Sequence, residues 1–496
     1  MPHGHARLGV DTPQSIHYDR GRFGRLFPTL PTFAEDTGHV RHALRELGAK
    51  GGPMDAKDDL SDPISLITDP AKSAGNPDNP AMAAGFTFLG QFIDHDMTFD
   101  PTSSLRRQQD PEAIRNFRVP ALDLDSVYGS GPLASPHLYD QSVDGGRTTL
   151  LIEQITGSGA VCLDGADRFD LPRNSQNTAL LGDPRNDENL ILSQLHLAFL
   201  RFHNRVVDDV KAEFGAGYTH GEVFSEAQRR VRWHYQWMVV HEFLAKTVGS
   251  ALVEKVLEKG PKHYRWRNDP YVPVEFSVGA YRFGHSQVRP SYRANFGTSA
   301  TDATKQFFAL FSDRTLAASD DPADLRGGKR APRRFVDWQT FFDFGDNRVR
   351  RNKKIDTKLS TILFDLLGVP ADEPQSLAER NLRRNLTMRV PSGQRVARAM
   401  ELPELSPHDL DDLKPYNLHK RTPLWFYVLR EADVRQDGER LGPVGGRIVA
   451  EVIIGLIKGD HDSYLRQNPG WQPAYGQNQT FTMVDLLKAA EVVTPL

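Results

Sequence analysis

The chain contains 496 residues, and this length fits either several domains or one large unit. Its 61 lysine and arginine residues nearly balance 64 aspartate and glutamate residues, which argues against nucleic acid or an anionic membrane surface as a partner. The single cysteine, Cys162, excludes an intrachain disulfide and therefore a disulfide-stabilised secreted fold.

Two apolar features of the sequence bear on location. Residues 1–26 lack the uninterrupted apolar core of a secretory signal. Near the other end, the apolar stretch 447–460 contains Glu451 and is shorter than the roughly 20 residues that span a bilayer. We therefore expect a cytoplasmic protein without a membrane span, while non-classical secretion stays open and the oligomeric state is not indicated.

The first predicted element is an arm. Residues 1–80 are rich in Pro, Gly and Asp without sustained periodicity, which predicts a segment laid over a core formed by residues 81–496. Apolar residues at steps of three and four then predict a long amphipathic helix from Asn189. A second helix is predicted from Ser225, with Ser225 and Gln228 as its capping box.

Helical patterns recur later, at residues 359–367, 376–386 and 446–458, whereas alternating strand patterns are scarce. No repeats or low-complexity tracts interrupt the chain. The sequence therefore predicts a mainly α fold, with one large helical domain, long irregular connections and few strands.

The segment GFTFLGQFIDHDMTFD carries the first candidate site. Gln91 and His95 fall at helical spacing on one face, and Asp94 borders that face. Asp96 is turned on by about 100° and must face elsewhere. A buried histidine with a partner and two solvated aspartates is the ordinary interpretation of such a pattern.

A metal-dependent phosphohydrolase is another interpretation of the same segment, because an adjacent His-Asp pair supplies two metal ligands. It requires further ligands on other helices. The chain offers four candidates: His196, His203, His234 and His241.

Three downstream segments add candidate residues. Asp123 and Asp125 stand two apart in a short loop, a spacing that suits a hard cation such as calcium, although an ordinary Asp-rich loop is common. The segment GDPRNDENL places Arg185 and Glu188 just before the long helix, where a plain capping segment is the alternative. The segment YRFGHSQVRP places His285 after a glycine and between two arginines, which suits a metal-bound histidine beside carboxylate-binding cations.

Taken together, the segments GQFIDHD, LDLDSVYG, GDPRNDE, HNR and RFGHS resemble, in this order, the myeloperoxidase-like superfamily. This superfamily is also called the animal haem peroxidase or peroxidase-cyclooxygenase superfamily, and the chain is most similar to its disulfide-poor, bacterial-type members. The resemblance runs in scattered blocks from about Phe86 to about Arg466. It implies a single helical domain that holds haem b.

The resemblance also implies catalytic roles. His95 matches the distal acid-base residue, Gln91 its neighbour in the distal pocket, and Arg185 the distal arginine. His285 matches the proximal ligand of the haem iron. Asn381 matches an asparagine that accepts a hydrogen bond from the other nitrogen of that ligand, a type of contact that orients metal ligands.

Further residues match groups around the haem. Arg282 and Arg384 match arginines close to the propionates, whose carboxylates suit guanidinium donors. Asp94 and Glu188 match two carboxylates that become ester-linked to haem methyls. Asn189 replaces the methionine that forms a sulfonium link in myeloperoxidase, so that third link cannot form here.

A calcium site is the other implication of the resemblance. Asp96, Asp123 and Asp125 match its side-chain ligands, and Val119 and Ala121 match residues that contribute carbonyl oxygens. Val119 replaces a threonine whose hydroxyl also binds calcium in the mammalian enzymes. We expect the carboxylate of Asp125 to compensate for that missing ligand.

The implied function is a peroxidase that reduces H2O2 through a ferryl intermediate and oxidises a small donor such as a halide, thiocyanate or a phenol. A haem-dependent fatty-acid dioxygenase is the alternative, but those relatives use a tyrosine three residues before the proximal histidine, where this chain has Arg282 and Tyr281 is shifted by one. A non-catalytic haem- and calcium-binding scaffold is the third interpretation. It would predict loss of His95, Arg185 or His285, and all three are present.

Overall fold

Helices make up most of the regular structure in the computed structural model, which describes residues 21–142, 147–266, 269–302, 307–310, 325, 328 and 331–495. The α-helices are α1 (Gly38–Leu47), α2 (Ser65–Thr68), α3 (Gly85–Met97), α4 (Asp125–Tyr128), α5 (Gly131–Ala134), α6 (Leu190–Phe214), α7 (His220–Met238), α8 (Ala245–Val248), α9 (Ser250–Lys259), α10 (Leu377–Thr387), α11 (Gly393–Ala399), α12 (Leu424–Gln436), α13 (Pro443–Gly459), α14 (Tyr464–Gln467) and α15 (Met483–Ala489).

Strands are short and pair two by two. They are β1 (Phe23–Gly24), β2 (Asp78–Ala83), β3 (Glu153–Ile155), β4 (Arg168–Asp170), β5 (Val272–Pro273), β6 (Ser291–Asn295), β7 (Phe307–Leu310) and β8 (Arg351–Lys353). The pairs β2–β8, β3–β4 and β6–β7 are antiparallel, and β1–β5 is parallel. The prediction of a mainly α fold with few strands is therefore confirmed.

The long helix α6 lies at the centre of the fold and packs against α3 and α7. It begins as predicted, because the Asn189 side chain caps it by accepting a hydrogen bond from Leu192 N at 2.9 Å. The rings of Phe92 on α3 and Phe199 on α6 stack in parallel with their centroids 4.6 Å apart. This contact fixes the part of α3 that carries His95, less than one turn further on.

Helix α7 begins earlier than the sequence pattern predicted. Its capping box consists of Thr219 and Glu222, not Ser225 and Gln228, so the predicted start at Ser225 is wrong by more than one turn. The apolar face of α7 begins only at Val223, because the first residues of the helix, His220 and Gly221, are exposed. Periodicity alone therefore missed the first turn.

The apolar stretch that contains Glu451 forms α13, a helix buried in the core along most of its length. Glu451 is 2% exposed and accepts hydrogen bonds from the backbone N–H groups of His263 and Tyr264. A buried carboxylate is thus satisfied by protein donors. In the described part of the chain, no helix is long and apolar enough to cross a membrane.

The predicted N-terminal arm falls into two parts. Residues 1–20 lie outside the described residues. Within 21–80, the side chains of Phe23, Phe33, Leu44 and Leu66 belong to the same hydrophobic cluster as α6 and α13. The described part of the arm therefore contributes to the main core, and it contains the helix α1 in addition to irregular chain.

Candidate active site

Helix α3 directs Gln91 and His95 toward one acidic side chain, Glu188. Gln91 Nε2 donates a hydrogen bond to Glu188 Oε1, and His95 Nε2 lies 3.9 Å from the same oxygen. Asn189 Nδ2 also donates to Gln91 Oε1 at 3.4 Å. The shared face of Gln91 and His95 that the helical spacing predicted is confirmed, and Glu188 arrives there from the segment before α6.

The His95 imidazole is almost fully buried, at 5% exposure. Its Nδ1 lies 2.8 Å from Asn186 Oδ1, which can only accept a hydrogen bond. Burial, reinforced by the positive charge of Arg185, lowers the pKa of His95 to about 3. His95 is therefore neutral at physiological pH, with one ring nitrogen available to take up a proton.

The Arg185 guanidinium is held beside the end of α3 by several acceptors. It donates to both carboxylate oxygens of Asp183 and to the backbone carbonyls of His95 and Thr98. Its central carbon lies 4.5 Å from the centroid of the Phe99 ring. Arg185 Nη1 makes no hydrogen bond to any described residue, so this donor remains available for a ligand.

Asp94 and Glu188 are both carboxyls that resist ionisation. Burial raises the pKa of Glu188 to about 7, even though 47% of its side chain remains accessible in this structure. Burial likewise raises the pKa of Asp94, and the positive charges of Arg185 and Arg282 oppose this rise. Asp94 thus lies within the electrostatic reach of arginines from two separate segments.

A cleft with about 580 Å³ of empty space, part of it open to solvent, lies beside these groups. Its charged lining residues are Asp94, Asp100, Arg185, Arg282 and Arg384. Burial, together with the charge of Arg282, lowers the pKa of Arg384 to about 10. Two half-buried guanidinium groups, of which Arg282 disfavours the charge of Arg384, are a good setting for a ligand with carboxylates.

His285 lies at the end of an irregular helical segment, in which a π-helical turn (Glu275–Gly279) leads into a 3-10 helix (Ala280–His285). Burial, followed by the charge of Arg282, lowers the pKa of His285 to about 3, so its imidazole is neutral. A Cβ added at Gly284 would meet no described atom within 4 Å. The protein chain itself therefore does not require this glycine, and the space beside Gly284 is open.

Asn381 on α10 links His285 to Arg282. Asn381 Nδ2 lies 2.7 Å from His285 Nδ1, and Asn381 Oδ1 accepts a hydrogen bond from Arg282 Nη1 at 2.9 Å. Asn381 therefore presents its NH2 group to His285 Nδ1 in this amide orientation, whereas a neutral His285 that binds iron through Nε2 carries its proton on Nδ1 and would need Asn381 Oδ1 turned toward it. The predicted pair forms, and the predicted direction, in which Asn381 accepts, stays a prediction because the roles of the two atoms depend on the tautomer of His285.

The acidic cluster lies on the other side of α3. Ligand oxygens of Asp96, Asp123 and Asp125 come within 4.8 Å of one another, and all three residues are buried. The loop between them is strained, with left-handed φ values of +48° at Leu122 and +61° at Leu124. The predicted turning of Asp96 away from His95 is confirmed by this placement.

Electrostatics favour a cation in this cluster. Burial, followed by the charges of Asp125 and Asp123, raises the pKa of Asp96. Burial also raises the pKa of Asp125 to about 7, and its Oδ2 atom is buried with no hydrogen-bond partner among the described residues. The Val119 carbonyl accepts a hydrogen bond from Ala121 N at 2.8 Å. The cluster therefore offers oxygen ligands that protein donors leave incompletely satisfied.

Arg118 is a member of this site that the sequence analysis missed. Its guanidinium is 1% exposed and donates to Asp125 Oδ1 at 3.1 Å and to Asp183. Asp183 in turn holds Arg185. Burial opposes the ionisation of Asp183, but hydrogen bonding by Arg185 and the charge of Arg118 outweigh it and hold the pKa of Asp183 below its usual range. One buried ionic chain thus connects the acidic cluster to Arg185.

The four histidines of the phosphohydrolase interpretation do not meet. His203 contacts Tyr128 Oη and Thr148 O, His234 contacts Arg230 O, and His241 contacts Tyr464 Oη. Among the described residues, the one group of three or more metal-ligating side chains is the aspartate cluster. The geometry therefore gives no support to a His-Asp metal centre.

Comparisons with known proteins define the class to which this site belongs. Residues 105–321 match the sequence model of the family described as animal haem peroxidase. Eosinophil peroxidase from Mus musculus is 30% identical over 138 residues, which cover 26% of this chain and 19% of that protein. Thyroid peroxidase from Homo sapiens is 27% identical over 214 residues, which cover 40% of this chain and 22% of that protein. The chain thus matches about a fifth of the length of these relatives.

Solved structures show the same fold. Peroxidase A from Dictyostelium discoideum aligns with a TM-score of 0.56 and 17% identity, over 94% of this chain and 98% of that one. A fatty acid alpha-dioxygenase from Oryza sativa aligns with a TM-score of 0.56 and 15% identity, over 88% of this chain and 77% of that one. The fold is therefore the helical fold shared by peroxidases and dioxygenases. The chain is thus similar to the animal haem peroxidase family over residues 105–321.

This family implies a haem, and the residues present fit one. The space beside Gly284 is open, and His285 Nε2 makes no hydrogen bond to any described residue. Arg282 and Arg384 line the cleft as a pair of half-buried cations suited to two carboxylates. A neutral imidazole is also the form in which histidine binds a metal.

Proposed function

We propose that this protein is a haem peroxidase that uses hydrogen peroxide to oxidise a small donor, such as a halide, thiocyanate or a phenol. The observation that carries this proposal is the meeting of a buried neutral histidine, His95, with a fixed arginine, Arg185, beside a cleft lined by further arginines. When bound, haem supplies the redox chemistry, and the protein supplies ligands, proton transfer and electrostatics.

His95 is the group that moves protons in this proposal. Reduction of hydrogen peroxide requires that a proton leave one oxygen and arrive on the departing oxygen. The unprotonated Nε2 of His95 takes up the first proton and then delivers it, as a general base and then a general acid. Gln91 Nε2 and His95 Nε2 both face Glu188 Oε1. We assign to Gln91 the orientation of small polar ligands at this place.

Arg185 stabilises the negative charge that develops as the bond between the two oxygens breaks. Its position is set before the reaction, because Asp183 and two backbone carbonyls already hold it. Preorganised donors of this kind avoid the cost of reorganisation at the moment of reaction. The donor Nη1, which has no described partner, is the one that we assign to this task.

His285 would hold the iron of the bound haem, and Asn381, which also contacts Arg282, would orient the His285 ring. Arg282 and Arg384 hold the two propionates. We assign Asp94 and Glu188 to ester bonds with haem methyl groups, supported by their raised pKa values and by the accessibility of Glu188.

We also propose a calcium ion at the aspartate cluster of Asp96, Asp123 and Asp125, with the carbonyls of Val119 and Ala121 as further ligands. Three buried carboxylates lie within 4.8 Å of one another, and Arg118 divides its charge between Asp125 and Asp183, so a divalent cation would offset the repulsion between the carboxylates. Hard oxygen ligands on a tight loop are the donor set that calcium prefers.

Calcium removal should lower the stability of the protein. Calcium at 100 times its Kd stabilises a folded protein by about 2.7 kcal/mol, so chelation should lower Tm by about 2–3 °C in a chain of this length. The measurement is a thermal unfolding scan with calcium and with a chelator, on the wild type and on Asp123→Asn. We expect the variant to lose the response to calcium. An equal response in the wild type and the variant would assign calcium to another place.

A fatty-acid dioxygenase is the rival function, because the Oryza sativa structure shares the fold. Tyr281 is the nearest tyrosine to His285 in sequence, and its hydroxyl donates to the Gly90 carbonyl at 3.1 Å. Burial also raises the pKa of Tyr281. A hydroxyl that is tied to a backbone carbonyl is poorly placed to lose its proton during oxidation. This contact favours the peroxidase proposal.

A donor screen separates the two functions. With H2O2 present, the haem-loaded protein should oxidise iodide, bromide, thiocyanate or a phenol and should consume no oxygen with palmitic acid. The measurements are donor absorbance and oxygen uptake in parallel. Oxygen uptake with the fatty acid, without turnover of any donor, would replace the peroxidase proposal with the dioxygenase one.

Two further proposals concern the location of the protein and the organisation of the chain. We propose a cytoplasmic location, supported by the single cysteine, Cys162, which is buried and unpaired. We further propose that residues 81–496 form the peroxidase domain and that residues 1–80 pack on it, supported by the shared core described above.

A further inference from the structure

Asn186 lies between two buried histidines from different helices. Its Oδ1 is 2.8 Å from His95 Nδ1, and its Nδ2 is 3.0 Å from His196 Nδ1. The exposures of Asn186, His95 and His196 are 0%, 5% and 1%. Asn186 belongs to the 3-10 turn Pro184–Asp187, immediately before α6, which carries His196.

This geometry couples the positions of two protons. An amide oxygen only accepts and an amide NH2 only donates, whereas a neutral imidazole has one donor and one acceptor nitrogen. His95 must therefore carry its proton on Nδ1, and His196 must accept at Nδ1 and carry its proton on Nε2. The two imidazoles are thus held in opposite tautomers by one side chain.

The tautomer of His95 decides what its other nitrogen can do. With the proton on Nδ1, Nε2 is an unprotonated acceptor on the side of Gln91 and Glu188. In the other tautomer Nε2 would already carry a proton, and it could not take one from a peroxide molecule. In hydrolases with a Ser-His-Asp triad, loss of the group that fixes the histidine tautomer is known to lower kcat by about 10⁴-fold.

The surroundings hold Asn186 and the two histidines in one arrangement. The Asn186 backbone N–H donates to Asp183 O at 3.1 Å, which anchors the turn. His196 packs edge-on against Phe92, with ring centroids 6.0 Å apart, and its Nε2 has no hydrogen-bond partner among the described residues. Both histidines are buried, so bulk water does not compete strongly for the two hydrogen bonds of Asn186.

We propose that Asn186 is a positioning residue that holds His95 in the Nδ1-protonated tautomer. His196 accepts the hydrogen bond of the Asn186 NH2 group and so fixes the orientation of this amide. This inference rests on the proposed function, because it assigns a task to the acid-base role of His95. The tautomers of the two histidines can be measured without turnover, so this inference can fail independently of that function.

Nuclear magnetic resonance of ring-¹⁵N-labelled histidines reads the tautomers directly. The sample is the full-length haem-loaded protein in its ferrous carbon monoxide form, which is diamagnetic. We expect the His95 signal of a protonated Nδ1 and the His196 signal of a protonated Nε2, assigned with His196→Gln. A protonated Nε2 on His95 in the wild type would overturn the proposal.

Two substitutions at Asn186 then separate positioning from packing. Asn186→Leu keeps the size but removes both hydrogen bonds, and we expect mixed His95 tautomers and a loss of about 10- to 100-fold in the rate constant with H2O2. Asn186→Asp keeps an acceptor for His95 Nδ1 but offers no amide donor. In this variant His95 should keep its tautomer, His196 should change its own, and the rate should recover toward the wild-type value.

The matched controls are His196→Gln and His203→Gln, since both remove a buried histidine of α6 and only His196 contacts Asn186. We expect only His196→Gln to disturb the His95 signals. Unchanged His95 tautomers and rates in Asn186→Leu would overturn the proposal. If the wild type shows the expected tautomers but does not react with H2O2, the proposed function fails, whereas the positioning of His95 by Asn186 is supported.

Discussion

Replacing His95 with alanine should lower the second-order rate constant for the reaction with H2O2 by about 10²–10⁴-fold, while haem remains bound. The reason is that His95 supplies the proton-transfer group and makes no contribution to haem ligation in this account. Its neutral, buried imidazole faces Gln91 and Glu188, and its pKa is lowered to about 3. The measurement is stopped-flow absorbance of the haem band after mixing with peroxide.

His203→Ala is the matched control for this substitution. His203 is also a fully buried histidine, but it contacts Tyr128 and Thr148 and not the residues of the proposed distal pocket. We expect it to lower Tm and to leave the rate constant of the folded protein within about threefold of the wild type. A His95→Ala variant that reacts as fast as the wild type would show that another group transfers the proton.

Replacing His285 with alanine should remove the axial ligand of the iron, and we expect haem to be lost on gel filtration. Loss of a partner that only orients a metal ligand typically costs 10–100-fold in affinity, so loss of the ligand itself should exceed about 100-fold. The measurement is a haem titration followed by the absorption band of the bound cofactor. His241→Ala, a histidine that contacts Tyr464, is the control and should bind haem normally.

Ester bonds from Asp94 and Glu188 would retain haem even without an axial ligand. The His285→Ala titration is therefore made in the Asp94→Asn, Glu188→Gln background, beside the same double variant with His285 intact. Acid-acetone extraction of the wild type after exposure to H2O2 reads the ester bonds themselves. Unchanged haem affinity after loss of His285 in this background would mean that a different residue binds the iron.

The helices that local periodicity defines were predictable. The spacing of apolar residues from Asn189 onward gave the position of α6, since one face of that helix meets α3 and α7 in the core. The pattern at residues 359–367 was misleading, because it forms only a 3-10 turn at Thr361–Phe364 in the described chain. A short apolar run fits several buried conformations.

The candidate site was also predictable only in part. Helical spacing placed Gln91 and His95 on one face of α3, and it placed Asp96 on a different face, which in the structure faces the aspartate cluster. The arrival of Arg185 and Glu188 beside them depends on tertiary packing, and the sequence suggested it only through resemblance to a family. Local pattern therefore predicts which side chains share an element, and it does not predict which elements meet.

Partners that act through a second residue escaped the sequence analysis. Asn186 was covered only by the capping interpretation of its segment, and Arg118 was not considered at all. Each makes its decisive contact with residues far away in the chain, Asn186 with His95 and Arg118 with Asp183. The hydrogen bond from Arg282 to Asn381, which joins two of the predicted haem-side residues, was also missed.

The most direct test of the central claim is the reaction of the full-length, haem-loaded protein with H2O2, followed by the absorption of the bound haem. We predict a protein-bound haem band that changes in a second-order reaction with a rate constant of at least about 10⁴ M⁻¹s⁻¹, within the range of ordinary enzymes. The change should be reversed by a small donor. A protein that binds no haem, or whose bound haem reacts with H2O2 no faster than haem free in solution, would contradict the account.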